Sequence, residues 1–219
     1  MSEQTQPPDN ALSAGRRWWW WALGGLVAGG AFALLVLQLV TGRPFGPPRY
    51  NGTVLESPTP VPDVALTAHT GRPVSLHDLR GRVLLIYFGY TACPDACPAT
   101  MAKLEAAIEE LPPAQQAEVQ VILISVDPAR DTPTRLADYV AHFSPSFLGM
   151  TGSVEELKAV ASPFGVYFEK GERLGSDGYL VDHTASVFAV DKESRLRLIY
   201  SFATPSEEIV ADLRHLVRE

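Results

Sequence analysis

Two apolar runs constrain this chain most: Val83-Leu84-Leu85-Ile86-Tyr87-Phe88 and Val121-Ile122-Leu123-Ile124-Ser125-Val126. Each has the length of a strand and lacks the alternation of a strand with one wet face. Each therefore reads as a strand covered on both sides. Between them, Pro98 to Glu110 is patterned as a helix, with Leu104 and Ile108 four apart and Lys103 and Glu110 suited to water. Strand, helix, strand is the unit that builds a parallel sheet.

The remainder follows by local signals. Val64 to Leu79, with Gly71 at a turn, reads as a hairpin and turn leading in. Thr132-Pro133 reads as the N-cap and first-turn proline of a helix to about His142. Ser153 and Glu156 make a capping box for a helix to about Phe164. Ser186 to Val190 and Leu196 to Ser201 flank Asp191-Lys192-Glu193-Ser194-Arg195, which reads as a hairpin. Thr204, Pro205 and Glu207 are expected to cap a last helix running towards Arg218. Parallel strands followed by an antiparallel hairpin and a closing helix make a thioredoxin-like α/β sandwich, a central mixed sheet flanked by helices. The helices between about 132 and 164 are additional to the minimal fold.

Ahead of this domain lies an uncharged run of 23 residues, Trp18 to Val40. As a helix rising about 1.5 Å per residue it crosses a hydrocarbon core about 30 Å thick. Trp18 to Trp21 open the run where aromatic belts sit. The run exceeds an ordinary signal-peptide core, and no persuasive small-x-small cleavage site follows it. We read it as a single retained transmembrane helix behind a tail of residues 1–17. Arg16 and Arg17 precede it and Arg43 and Arg49 follow it, so the positive-inside count is nearly balanced. The amino terminus tips it to an inside tail, with the folded domain, 63–219, on the extracytoplasmic or periplasmic side of the cytoplasmic membrane. Thr41 to Pro62 holds six prolines and reads as an extended, Pro-rich linker.

The net charge of −7 argues against an electrostatic grip on nucleic acid. The chain has two cysteines, both in one short stretch. A disulfide-stapled scaffold would spread more of them, and a zinc finger would need four ligands. Both lie in Gly89-Tyr90-Thr91-Ala92-Cys93-Pro94-Asp95-Ala96-Cys97-Pro98, which follows the first central strand. Ligand sites in open α/β sheets lie at that edge. Cys93 and Cys97 are i and i+4, so on a helical turn they share a face and can meet one metal ion or each other. A helix N-terminus there is expected to favour thiolate. A purely structural disulfide is a poor reading, because so small a loop removes little entropy from the unfolded chain. Redox thiols and metal thiolates remain.

That segment, together with Ser125-Val126-Asp127-Pro128-Ala129-Arg130-Asp131-Thr132-Pro133 and Val181-Asp182-His183-Thr184, resembles the Sco/SenC family over about residues 60–217. These are copper proteins that assist cytochrome c oxidase assembly, and an N-terminal anchor is typical of them. The resemblance implies that Cys93, Cys97 and His183 bind copper. Two thiolates and an imidazole are a soft, low-coordinate set suited to Cu(I), with Cu(II) as a second state, whereas zinc would want a fourth ligand. Of the five histidines, His183 alone stands just before the second hairpin, where a thioredoxin-like enzyme keeps a proline facing its cysteines. Asp127 ends the second central strand and reads either as a carboxylate orienting a ligand or as a turn residue ahead of Pro128. Arg130 and Asp131 read as a local ion pair.

The function these features imply is delivery of copper to the dinuclear copper centre of the oxidase, without enzymatic turnover. The expected partners are the oxidase subunit carrying that centre, a copper donor protein, a thioredoxin-like reductant and the membrane. The alternative is a thiol–disulfide oxidoreductase that uses Cys93 and Cys97 to reduce the oxidase's copper-site cysteines.

Overall fold

The protein's structure is a computed structural model that describes residues 14–41, 49–174 and 178–219, apart from the side chains of 14–18, 37–41, 172–174, 178, 182 and 183. The chain divides into two compact units, Met1–Pro48 and Arg49–Glu219. In the first, helix α1 spans Ala14–Thr41. Its stretch Trp19–Val36 has a mean hydropathy of 1.6 and none of it is buried, so the helix is long and apolar enough to cross a membrane.

The second unit is built on an eight-stranded mixed sheet. Its strands are β1 (Thr53–Pro60), β2 (Leu66–Ala68), β3 (Pro73–Val74), β4 (Val83–Gly89), β5 (Val119–Ser125), β6 (Leu148–Thr151), β9 (Val187–Val190) and β10 (Arg195–Tyr200), in the spatial order β1-β10-β9-β4-β5-β6-β2-β3. Strands β4, β5 and β6 are parallel, with Val83 opposite Val119 and Gly89 opposite Ser125. β9 lies antiparallel on the other side of β4. Every residue of β4 and β5 is buried, the polar Gln120 and Ser125 of β5 included, as strands covered on both faces require. Strands β7 (Phe168–Leu174) and β8 (Gly178–His183) form a separate two-stranded sheet, with Phe168 opposite His183.

The helices are α2 (Ala96–Glu109), the single turn α3 (Pro113–Gln116), α4 (Pro133–Ala141), α5 (Val154–Ala161) and α6 (Ser206–Leu216). α2 buries Cys97, Thr100, Met101, Leu104 and Ala107, a stripe of helical period. The caps of α4 and α5 follow the sequence: Thr132 accepts from the Arg135 amide, and Ser153 and Glu156 close a capping box. Gly71 sits at φ +79° in the β2–β3 turn.

Two sequence expectations are corrected. Residues 53–60, read as part of the linker, form edge strand β1, antiparallel to β10 with a register shift between Val54 and Thr59. An edge strand tolerates Pro58 and Pro60, which is why a proline count misreads it. Its entry is pinned by Asp212 of α6, a buried carboxylate accepting the Asn51 amide at 2.9 and 3.0 Å and the Gly52 amide at 2.9 Å. The expected cap of α6 does not form: Pro205 itself takes the N-cap position without a side-chain hydrogen bond. Thr204, displaced one residue outward, lies 3.2 Å from the Ser201 hydroxyl instead. The β7–β8 hairpin was unforeseen, because its charged sequence carries no strand alternation.

Candidate metal centre

The carboxyl edge of β4 and β5 sets the site. The Val126 amide donates to the Gly89 carbonyl at 2.9 Å, so the chain leaving β5 runs beside the loop leaving β4. That loop carries Cys93 and enters α2 at Ala96, placing Cys97 second in the helix. Cys93 is partly exposed and Cys97 fully buried, and both are thiols, not a disulfide. The Cys97 amide donates to Cys93 Sγ at 3.4 Å, so the outer sulfur is held against the first turn of α2 from the loop ahead of the N-cap Asp95, not from the shared helical turn that the spacing suggested. The Tyr87 hydroxyl donates to Cys97 Sγ at 3.5 Å from inside the sheet. A Cβ on Gly89 would stand 2.7 Å from the Tyr87 ring and 3.0 Å from Cys97 Sγ, so glycine is what leaves room for the inner sulfur.

Burial pushes the Cys97 thiol up to about 12. The expectation that the helix N-terminus would favour thiolate therefore fails for Cys97. Desolvation of a fully buried sulfur outweighs a dipole worth about 0.3–1 kcal/mol.

Asp131 supports the cysteine loop. It is buried and accepts from the Thr91 amide at 3.0 Å, the Thr91 hydroxyl at 2.6 Å and the Ser125 hydroxyl at 2.7 Å. Arg135 Nε donates to the Thr91 hydroxyl at 2.7 Å. The expected Arg130–Asp131 pair is not made. Arg130 pairs with buried Asp127 instead, which leaves Asp131 to tie Thr91, two residues before Cys93, to the end of β5.

A model described as SCO1/SenC matches residues 56–218. This chain belongs to the SCO1/SenC family. It is 37% identical over 147 residues to Protein sco1 of Schizosaccharomyces pombe, a match covering 66% of this chain and 56% of the relative, less than two thirds of its length. The solution structure of apo Sco1 from Thermus thermophilus is 46% identical, with a TM-score of 0.69, and the match covers 77% of this chain and 97% of that one. Arabidopsis thaliana ScoI, solved with copper bound, is 34% identical at a TM-score of 0.64, over 74% of this chain and 97% of that one. BsSco, described as having a disulfide switch and as a member of the Sco family of cytochrome c oxidase assembly proteins, is 25% identical at a TM-score of 0.58, over 75% and 98%.

In this SCO1/SenC chain the structure brings Cys93 and Cys97 together. His183 is the last residue of β8; its side chain lies outside the described residues. β8 itself borders the cysteine loop: the Val181 amide donates to the Tyr90 hydroxyl at 3.3 Å. Burial, and after it the neighbouring Cys93 and Cys97 sulfurs, raise the Tyr90 phenol above its usual range. Asp127, the sequence candidate for orienting a ligand, spends both carboxylate oxygens on neighbouring side chains. It accepts from Tyr179 of β8 at 2.6 Å and pairs with Arg130. Among the described residues no three His, Cys, Asp or Glu side chains form a metal cluster. The two described donors are sulfurs, one reachable from solvent and one buried, which fits a soft monovalent ion and not a hard one. Asp131, Thr91, Tyr90 and Tyr179 escaped sequence reasoning as site residues. Asp131 and Thr91 lay inside quoted motifs, but their pairing spans 40 residues.

Proposed function

We propose that this chain is a membrane-anchored copper carrier that holds Cu(I) with Cys93, Cys97 and His183 and delivers it to the dinuclear copper centre of cytochrome c oxidase during assembly. The observation that carries this reading is the pair of neighbouring sulfurs where the loop after β4 enters α2 at the sheet's carboxyl edge, bordered through Tyr90 by the strand that ends in His183. The copper-bound Arabidopsis relative and the oxidase-assembly role given for BsSco support it. Copper is cargo here. Three ligands leave a position open to an incoming sulfur of the partner, so the ion passes by ligand exchange without release to water. Helix α1 supports an anchor in the cytoplasmic membrane, with the domain on its outer face. That side is oxidising, so a thioredoxin-like reductant must keep the two cysteines as thiols between rounds. A donor protein supplies the copper.

A second reading is favoured by the same adjacent thiols and by the disulfide switch described for BsSco: reduction of the oxidase's copper-site cysteines. His183 separates the two. In cells producing only His183→Ala, the carrier reading expects loss of oxidase activity, while the purified full-length variant loses copper but still interconverts Cys93 and Cys97 between dithiol and disulfide at the wild-type rate. Full oxidase activity with copper binding lost would replace the carrier reading with the oxidoreductase one.

A further inference from the structure

Among the described residues the β7–β8 hairpin shares no ladder with the eight-stranded sheet, so contacts that involve side chains fix where it stands. Tyr179 is the contact made at both ends of its ring. Its hydroxyl donates to Asp127 Oδ1 at 2.6 Å, and Asp127 is 3% exposed. The other Asp127 oxygen takes Arg130 Nε. The Arg130 guanidinium lies 3.7 Å from the centroid of the Tyr179 ring and 5.6 Å from that of Tyr90. Lys170, from the neighbouring strand, brings Nζ to 3.9 Å from the Tyr179 centroid. Two cations thus stand against one electron-rich ring whose hydroxyl is tied to a buried carboxylate, an arrangement that strengthens as water is excluded.

We infer that Tyr179, Asp127 and Arg130 form a latch that fixes β8 beside the cysteine loop and so sets the position of His183, four residues further along the strand. This rests on the copper reading above. Tyr179 and Arg130 are positioning residues: they act on copper only through β8. The latch spans the two motifs around Asp127 and His183, and it gives Asp127 a role different from tuning a ligand directly. A third ligand held in place binds more tightly than one that must be ordered by the metal, because the ordering cost is met during folding.

The test uses the full-length chain in detergent, as wild type, Tyr179→Phe, His183→Ala and the double variant. Phenylalanine keeps the ring between Arg130 and Lys170 and removes only the hydroxyl. Amide hydrogen exchange, with no copper present, is expected to quicken across 178–183 in Tyr179→Phe while β4 and β5 stay protected. Competition with a Cu(I) chelator is expected to show about tenfold weaker binding in Tyr179→Phe, the scale usual for groups that orient a ligand. In the His183→Ala background the same substitution should change nothing further. Unchanged exchange over 178–183 overturns the latch. So does a copper loss from Tyr179→Phe that persists undiminished without His183, which would mean general loosening. If His183→Ala alone leaves Cu(I) affinity at the wild-type value, the copper reading fails instead, and the exchange result still judges the latch. Should Tyr179→Phe not fold, Arg130→Lys, which keeps the charge on Asp127 and loses the planar stack, is read by the same two measurements.

Discussion

Cys97→Ser is expected to reduce copper retained by the full-length protein after desalting to background. Serine offers a hard oxygen where Cu(I) requires a soft sulfur. What remains of the proposed ligand set, Cys93 and His183, lacks the more deeply buried of the two sulfurs. The same change removes the disulfide partner of Cys93, so both the carrier and the oxidoreductase functions should stop together. The fold should survive, since serine is smaller than cysteine and its oxygen can still accept from Tyr87. The buried thiol also has a pH signature. Burial raises its pKa to about 12, so the folded chain keeps a proton that the unfolded chain releases near about 8.5. That contribution to stability is complete below the unfolded value and is lost as pH rises towards the folded one. Alkylation of the reduced, copper-free protein at pH 8 is expected to modify Cys93 and spare Cys97, as read from peptide masses. Equal labelling of both would show that Cys97 is neither buried nor held as a thiol.

Asp131→Ala is expected to cost about 3 kcal/mol of unfolding free energy, from three hydrogen bonds worth about 1 kcal/mol each. The Thr91 amide and the hydroxyls of Thr91 and Ser125 lose their acceptor together, in a place where the carboxylate is 1% exposed. Denaturant titration measures the loss. Because Thr91 precedes Cys93 by two residues, the cysteine loop should loosen as well, with faster hydrogen exchange at 90–95 than in β5. Asp131→Asn, which keeps one acceptor, should fall between. A stability within about 0.5 kcal/mol of wild type, the range of an inert surface change, would show that Asp131 does not hold the loop.

The parts of this fold that sequence reveals are those decided by near neighbours. Val83–Phe88 and Val121–Val126 announce central strands because burial on both faces leaves them almost wholly apolar, with Ser125 the exception that bonds to Asp131. Ser153 and Glu156 announce a helix start because a capping box closes within four residues. Cys93 and Cys97 are visible as a site because they stand only four residues apart where a loop enters a helix. What stayed hidden is decided across long separations. Strand β1 looks like a linker until β10 is beside it. Asp212 meets Asn51 across 161 residues, and Tyr179 meets Asp127 across 52. Arg130 and Asp131 look like each other's partners by adjacency, yet each turns to another group, since the chain after β5 aims Asp131 at Thr91 and leaves Asp127 within reach of Arg130. The protonation of Cys97 was misjudged for a related reason. A helix start is read from local sequence, whereas the desolvation that overrides it comes from the whole core around the sulfur.

The most direct test of the central claim is copper K-edge absorption of the Cu(I)-loaded, full-length chain, with His183→Ala alongside. The account predicts two sulfur ligands and one nitrogen in the wild type, with the nitrogen contribution lost in the variant. A wild-type spectrum with sulfur ligands alone, unchanged by His183→Ala, would contradict it.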